Sequence, residues 1–314
     1  MIRRARMLLV GATLLWALSF PLVRGLQIAE KAQVPDMADS TLAGANLFIR
    51  FGLGAVVLLL FYGRGLFNVT RAEWSQALGL GAFGGAGLYL QTLGLAWTDA
   101  SVSAFLTQLY TLLVPLIVAF RDRRFPSGRV IIACVLVLAG VAMLSPGLLT
   151  HLTLGPGELV ILISTGFIAG QIVWVERPMY AGNRSGLVTL IMFAVMAAAA
   201  GLGYLTRGGT VGDLGRLLDS STLWEMTLVL VLLCTVATYF VMNTWQRYVS
   251  ATEAGLIYCI EPVMATALSA FVPGWISSIA SISYTNEILG WALAIGGVLI
   301  LTATILVATE KPRA

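Results

Sequence analysis

The sequence predicts an all-α membrane protein, with ten transmembrane helices arranged as two inverted five-helix repeats. Three observations lead there. The 314-residue chain is 58% hydrophobic and only 11% charged, whereas a soluble domain carries roughly 25% charged residues. Its apolar residues fall into ten stretches, each close to the ~20 residues that a spanning helix needs. The last five stretches also partly match the first five in sequence.

The stretches follow in order. Met7–Leu26 comes directly after Arg3, Arg4 and Arg6. That basic start resembles a signal peptide, but no small-x-small cleavage site follows closely and nine stretches come after, so an uncleaved first helix is expected. Thr41–Tyr62 holds Asn46 and Arg50, and the glycine-rich Trp74–Leu95 contains a Gly81-x-x-x-Gly85 spacing that lets helices approach closely. Ser101–Phe120 carries Gln108, Tyr110 and Pro115, and Gly128–Leu144 is almost purely apolar. The second set comprises Gly157–Arg177, Leu187–Leu205, Leu223–Tyr239 (extendable to Gln246), Thr252–Val272 and Ile288–Val307. These segments are too long and too uniformly apolar for the alternating strands of an outer-membrane barrel.

Charge sets the orientation. Lys and Arg near helix ends are retained on the cytoplasmic side. With the N-terminus inside, fourteen basic residues lie inside, among them Arg121, Arg123, Arg124, Arg184, Lys311 and Arg313; only Arg24, Lys31, Arg207 and Arg216 lie outside. Both termini are therefore expected in the cytoplasm. The net charge of +4 is read as this topology signal and not as a nucleic-acid footprint. The run Arg121-Asp122-Arg123-Arg124 is a retention signal, or alternatively an anionic-lipid site.

The repeat is visible as an offset. Shifting the fourth stretch by 151 positions lays Ala100, Ser101, Phe105 and Phe120 on Ala251, Thr252, Leu256 and Phe271. A shift of 157 lays Leu138-Ala139-Gly140-Val141 on Ile295-Gly296-Gly297-Val298. An odd number of helices per half makes the second half enter from the opposite side, which gives residues 1–150 and 151–314 inverted topology. Secondary transporters commonly use that design, with the binding site at the repeat interface. The change of offset falls on Pro273–Asn286, a Ser-rich loop with Trp275 and Tyr284 that suits the membrane interface.

Polar groups inside a membrane are expensive and face the bundle interior. Trp16, Ser19 and Phe20 share one face of the first helix, Asn46 and Arg50 one of the second, and Tyr258 and Glu261 one of the ninth. Tyr239, Asn243 and Gln246 form a stripe on the eighth, and Gln108, Tyr110, Gln171 and Trp174 are further candidates. Each lines a substrate path or else makes an interhelical contact that fixes packing. Arg50 and Glu261 each lie roughly 13 Å into a ~30 Å core, from the outer and the cytoplasmic side respectively. They are the two ionisable groups expected at depth, either as a permanent ion pair or with Glu261 as the coupling group for protons. Pro21, Pro115 and Pro262 free the carbonyls of Ala17, Thr111 and Tyr258, as hinges or static kinks.

Other classes are excluded or weakened. No Walker-type loop is present, so ATP hydrolysis is not expected. An embedded enzyme would need a nucleophile with a base or paired acids at depth, and only Arg50 and Glu261 are there. Cys134, Cys234 and Cys259 have no metal-ligand spacing and read as small packing residues. His151, the one histidine, reads as a solvated loop residue. No metal and no cofactor is expected; the partners are the lipid bilayer and a small-molecule substrate, with protons as the candidate coupling ion.

Trp16-Ala17-Leu18-Ser19-Phe20-Pro21, Ile49-Arg50-Phe51 and Glu261-Pro262-Val263 resemble motifs of the drug/metabolite transporter superfamily, specifically its EamA type. The resemblance covers nearly the whole chain. It implies a cytoplasmic-membrane secondary carrier, often an exporter of amino acids, other metabolites or drugs, with a flippase for a lipid-linked molecule or a membrane-embedded non-transport protein as the alternative. The chain departs from the pattern at Tyr110-Thr111, where the family often has a proline, and at Pro273-Gly274, where it often has Gly-Glu.

Overall fold

The computed structural model describes residues 1–98, 100–144, 155–288 and 290–308. His151, Lys311 and Arg313 lie outside the described residues. All regular structure in the described residues is helical. The helices are α1 (Ile2–Gln33), α2 (Asp39–Tyr62), α3 (Arg71–Leu95), α4 (Ala100–Thr107), α5 (Tyr110–Asp122), α6 (Gly128–Leu144), α7 (Pro156–Val175), α8 (Ser185–Thr206), α9 (Val211–Asp219), α10 (Ser221–Val231), α11 (Thr238–Trp245), α12 (Ala251–Tyr258), α13 (Glu261–Ser269), α14 (Val272–Ala280) and α15 (Trp291–Ala308).

Among the described residues, five helical stretches are each long and apolar enough to cross a bilayer: Ile2–Gln33, Asp39–Asn68, Pro156–Val175, Ser185–Thr206 and Ser221–Tyr248. A sixth arises if Ala251–Ser269 and Val272–Ala280, bent by 54°, count as one. The chain is thus a multi-pass helical membrane protein. Local chemistry sets the ends. Thr70 and Glu73 form a reciprocal capping box that starts α3, Thr210 and Asp213 do the same for α9, and Ser250 caps α12. Prolines 156, 262 and 273 sit in first turns, where a missing N–H costs nothing.

The elements differ from expectation in four places. First, α1 runs on to Gln33 instead of ending near Leu26, so the connection to α2 shrinks to residues 34–38. Pro21 lies inside α1 without interrupting it. Second, the expected fourth and ninth spans are each split: α4 gives way to α5 at Gln108–Leu109, and α12 to α13 at Cys259–Ile260. At both breaks the backbone tightens to i→i+3 bonds, with Thr111 N donating to Gln108 O at 2.9 Å and Ile260 N to Ile257 O at 3.2 Å. Third, the eighth span is a single rod that passes from α10 through a π-helical turn, Leu232–Ala237, into α11. Fourth, the connections expected at Thr206–Thr222 and Pro273–Asn286 hold the short helices α9 and α14.

The packing pairs α2 with α8, α3 with α7, and α6 with α15. The two split helices run together, α4 beside α13 and α5 beside α12, so that break meets break. There Thr111 Oγ1 lies 2.8 Å from Cys259 Sγ. Close approach depends on glycine: a Cβ on Gly140 would lie 2.7 Å from the carbonyl of Gly296 in α15. Helix α3 uses glycine on two faces. Gly81 and Gly85 admit Val195 and Met196 of α8, while Gly79 and Gly84 admit Trp174 and Gln171 of α7. The largest core cluster surrounds Phe51, Tyr110, Met192, Phe193, Tyr239 and Tyr258, near the middle of the bundle.

Candidate functional site

A cavity of about 70 Å³ sits against that core cluster. Helix α1 supplies Trp16, Ser19 and Phe20, α2 supplies Arg50, and α3 supplies Leu88 and Gln91. Thr107 and Tyr110 flank the break in the fourth span, and Tyr258 and Glu261 flank the break in the ninth. Ile168, Gln171 and Ile172 of α7 and Tyr239 and Met242 of α11 complete the wall. Both interrupted helices therefore turn their interruptions to the cavity.

Arg50 is 3% exposed. Its Nε donates to Thr235 Oγ1 at 2.6 Å and its Nη2 to the Cys234 carbonyl at 3.2 Å. Both acceptors belong to the π-helical turn, a device that recurs at functional sites because it displaces backbone groups from the regular ladder. Thr235 Oγ1 itself donates to Leu230 O at 2.9 Å, and Thr238 Oγ1 donates to Cys234 O at 2.9 Å. The guanidinium uses two of its five donors in these bonds.

Glu261 heads α13, next to Pro262 in its first turn. The expected Arg50–Glu261 ion pair is not formed: no ion pair to Glu261 occurs among the described residues, and Arg50 is engaged by α10–α11. Gln108, in the neighbouring break, is the polar side chain facing the carboxylate. Neither polar atom of the Gln108 amide has a partner at hydrogen-bonding distance. The cavity thus holds a guanidinium and a carboxyl group that are not spent on each other.

Aromatic rings frame these two groups. Trp16 stands edge-on to Tyr239 and Tyr258, with centroids 5.5 and 5.3 Å apart, and Tyr239 contacts Phe51 and Phe193 in the same manner. The Tyr258 hydroxyl donates to Gln246 Oε1 at 2.9 Å, and Gln246 Nε2 donates to Ile172 O at 2.7 Å. A separate vestibule of about 1010 Å³ near the N-terminus is lined by Arg6, Arg124, Arg247 and Glu253 among others. Arg6 and Glu253 pair there at 2.5 Å.

Nine of the thirteen candidate residues line the cavity: Trp16, Ser19, Phe20, Arg50, Tyr110, Gln171, Tyr239, Tyr258 and Glu261. Gln108 lies beside it. Three lie elsewhere. Asn46 faces Glu30, with Nδ2 3.4 Å from each carboxylate oxygen. Trp174 packs against Phe83 and Tyr180 beneath Arg177, whose guanidinium carbon is 3.6 Å from the ring centroid. Asn243 donates to Thr189 Oγ1 at 2.9 Å and fixes α11 to α8. Of the hinge candidates, Pro262 directly follows a break, Pro115 lies five residues past Tyr110 within α5, and Pro21 marks none. The Thr111 carbonyl freed by Pro115 meets the Cys134 thiol at 3.5 Å. Gln91, Thr107 and Thr235 were not among the candidates; a short polar residue in an apolar run is a weak signal.

Residues 3–145 match the EamA-like transporter family. The match spans a little under half of the chain and contains the Trp16–Pro21 and Ile49–Phe51 motifs, while Glu261-Pro262-Val263 lies outside it. No curated protein matches the chain. A crystal structure of a protein 18% identical in sequence superposes with a TM-score of 0.70, covering 98% of this chain and 97% of that one. At that identity it attests the fold alone.

Proposed function

We infer that the protein is a ten-helix secondary transporter whose two halves, residues 1–150 and 151–314, are inverted EamA-like repeats moving about the central cavity. Support for the repeat comes from the breaks. The 151-position offset maps α4 onto α12 and Tyr110, the first residue of α5, onto Glu261, the first of α13. The helix pairings α2–α8 and α6–α15 join each helix to its own counterpart, as a two-fold axis between the halves requires.

The observation that carries the transport reading is a guanidinium and a carboxyl group, neither in an ion pair among the described residues, in one buried, aromatic-walled cavity. An ionisable group inside a membrane protein is costly to keep and so marks a functional site by default. Arg50 suits a carboxylate and Glu261 with the aromatic rings suits an ammonium group. A small zwitterion such as an amino acid fits that pair, while related metabolites and drug-like amines satisfy part of it. Alternating access would open the Tyr258–Gln246–Ile172 seal toward the vestibule and part the halves on the opposite side. With both termini in the cytoplasm of an inner membrane, the vestibule faces the cytoplasm and the carrier works as an exporter, with protons as the coupling ion through Glu261.

Counterflow of radiolabelled amino acids into proteoliposomes tests this reading. Exchange by the wild type and none by Arg50→Ala is the expected result. Absence of exchange for every amino acid and amine in the panel would overturn it. A reporter fused after Ala314 should read cytoplasmic and one near Asp213 the opposite side.

A further inference from the structure

Glu30 is a buried acid that the central cavity does not use. It lies in the outer part of α1, ten residues and so about 15 Å beyond Phe20 of the cavity wall. The side chain is 4% exposed. Its polar neighbour is Asn46 of α2, whose Nδ2 is 3.4 Å from both carboxylate oxygens. Among the described residues no Lys, Arg or His comes within ion-pair distance of it.

The charged groups around it are committed elsewhere. Arg24 of α1 donates to the Leu95 and Ala96 carbonyls at 3.2 and 2.9 Å. Lys31 pairs with Asp39 at 3.2 Å and also donates to the Met37 carbonyl. From α2, Arg50 is held by α10–α11. From the end of α8, Arg207 stacks over Tyr89 and donates to Gly203 O. A carboxylate buried this way without a counter-charge is strongly disfavoured.

Two further oxygens beside it are also short of a donor. Asn46 Oδ1 and Gln27 Oε1 are buried and have no hydrogen-bond partner; the Asn46 amide presents Nδ2 to Glu30 here, so its Oδ1 joins the carboxylate oxygens when the amide is turned over. Gln27 is one turn before Glu30 on the same face of α1, pinned by its Nε2 bond to the Thr92 carbonyl at 2.8 Å. A carboxylate with two neutral amide oxygens is a hard donor set that balances one positive charge. Divalent sites use more carboxylates or retain substrate phosphates.

We propose that Gln27, Glu30 and Asn46 bind a small monovalent cation, Na⁺ or a proton, at a second ion site near the outer end of α1 and separate from Glu261. The site gives the chain a cation-dependent contact between α1 and α2 whether or not the central cavity carries a zwitterion.

The test uses the purified full chain in nanodiscs with NaCl or choline chloride at constant ionic strength. Thermal unfolding is followed against Na⁺, and the carbonyl stretch of protonated carboxylic acids is followed by infrared difference spectroscopy against pH. If the occupant is Na⁺, unfolding temperature rises with Na⁺ in the wild type and in Glu261→Gln and does not in Glu30→Gln. Asn46→Ala then binds about tenfold more weakly, the effect typical of losing a supporting group in a metal site. If the occupant is a proton, Na⁺ has no effect and one protonated-acid band vanishes in Glu30→Gln while persisting in Glu261→Gln. The proposal is overturned if Glu30→Gln keeps the wild-type Na⁺ dependence and bands, or if the wild type shows neither response. Should Glu30→Gln fail to fold, Asn46→Ala decides: unchanged Na⁺ affinity and band position sink the site. None of these readouts needs a transported solute, so they fail or succeed apart from the transport reading.

Discussion

Arg50→Ala separates substrate binding from folding, and the structure sets the size of both effects. The guanidinium makes two hydrogen bonds, to Thr235 and to the Cys234 carbonyl. Bonds to a charged group contribute about 1.5–3 kcal/mol each. Against that stands the desolvation of a buried cation, which costs several kcal/mol. Neither acceptor is orphaned by the change, because Thr235 Oγ1 still donates to Leu230 O and Cys234 O still accepts from Thr238. The terms nearly cancel, so stability should change by no more than about 2 kcal/mol, within the range of ordinary substitutions. Binding has no such compensation. Removing one partner of a buried charge pair costs about 2–5 kcal/mol, or about 30- to 4000-fold in affinity. Counterflow in proteoliposomes should therefore collapse while the unfolding temperature in detergent moves by only a few degrees. Arg50→Lys should be intermediate, since an ammonium cannot reproduce the planar fork. Full exchange by Arg50→Ala, or a protein too unstable to purify, would refute the reasoning.

Three other outcomes are expected. Glu261→Gln keeps shape and removes titration: if Glu261 carries the coupled proton, gradient-driven accumulation is lost and solute exchange persists, and accumulation at wild-type levels would exclude that role. Gly84→Ala places a Cβ 2.3 Å from Gln171 Nε2; overpacking of this kind costs about 1–3 kcal/mol, read as a lower unfolding temperature, whereas Gly11→Ala, with nothing within 4 Å, should be neutral or better. At the membrane surface, just ahead of the apolar run that begins at Trp74, Glu73 is bonded by Arg184 at 2.7 and 2.9 Å and by Thr70, which holds its carboxyl from 4.5 down to about 2. Its stabilisation is complete above pH 4.5 and is lost as pH falls toward 2, so the stability gap between wild type and Glu73→Gln should shrink along that acid limb; a gap independent of pH would show that charge is not its cause.

Much of this was legible in the sequence because bilayer thickness and 3.6-residue periodicity act locally. The apolar runs located the helices, and faces shared at i, i+3 and i+4 delivered Trp16, Ser19, Phe20, Tyr258 and Glu261 to one cavity. The 151-position offset foreshadowed the paired breaks, although the breaks lie at Gln108–Leu109 and Cys259–Ile260 and not at the prolines that signalled them. What stayed hidden depends on distant partners. Glu30 read as a loop residue because a charge after Arg24 usually marks a helix leaving the membrane; burial against α2 keeps α1 helical instead. Nothing local distinguishes Asn46, which faces Glu30, or Asn243, which serves packing, from residues that line the path. The ligation of Arg50 by Thr235 was equally invisible, since it requires the π-helical turn.

That turn sets the rotational phase of everything after it. A π-helical turn is an α-helix carrying one extra residue, and each residue advances a helix by about 100°. Were one residue removed from Leu232–Ala237, the rod could remain continuous, yet Tyr239, Met242 and Gln246 would swing about a quarter-turn away from α1 and α12. The cavity wall, the seal at Tyr258 and the grip on Arg50 would all be lost from a helix still as long and apolar as the membrane demands. In this segment the count of residues, as much as their chemistry, determines what the cavity meets.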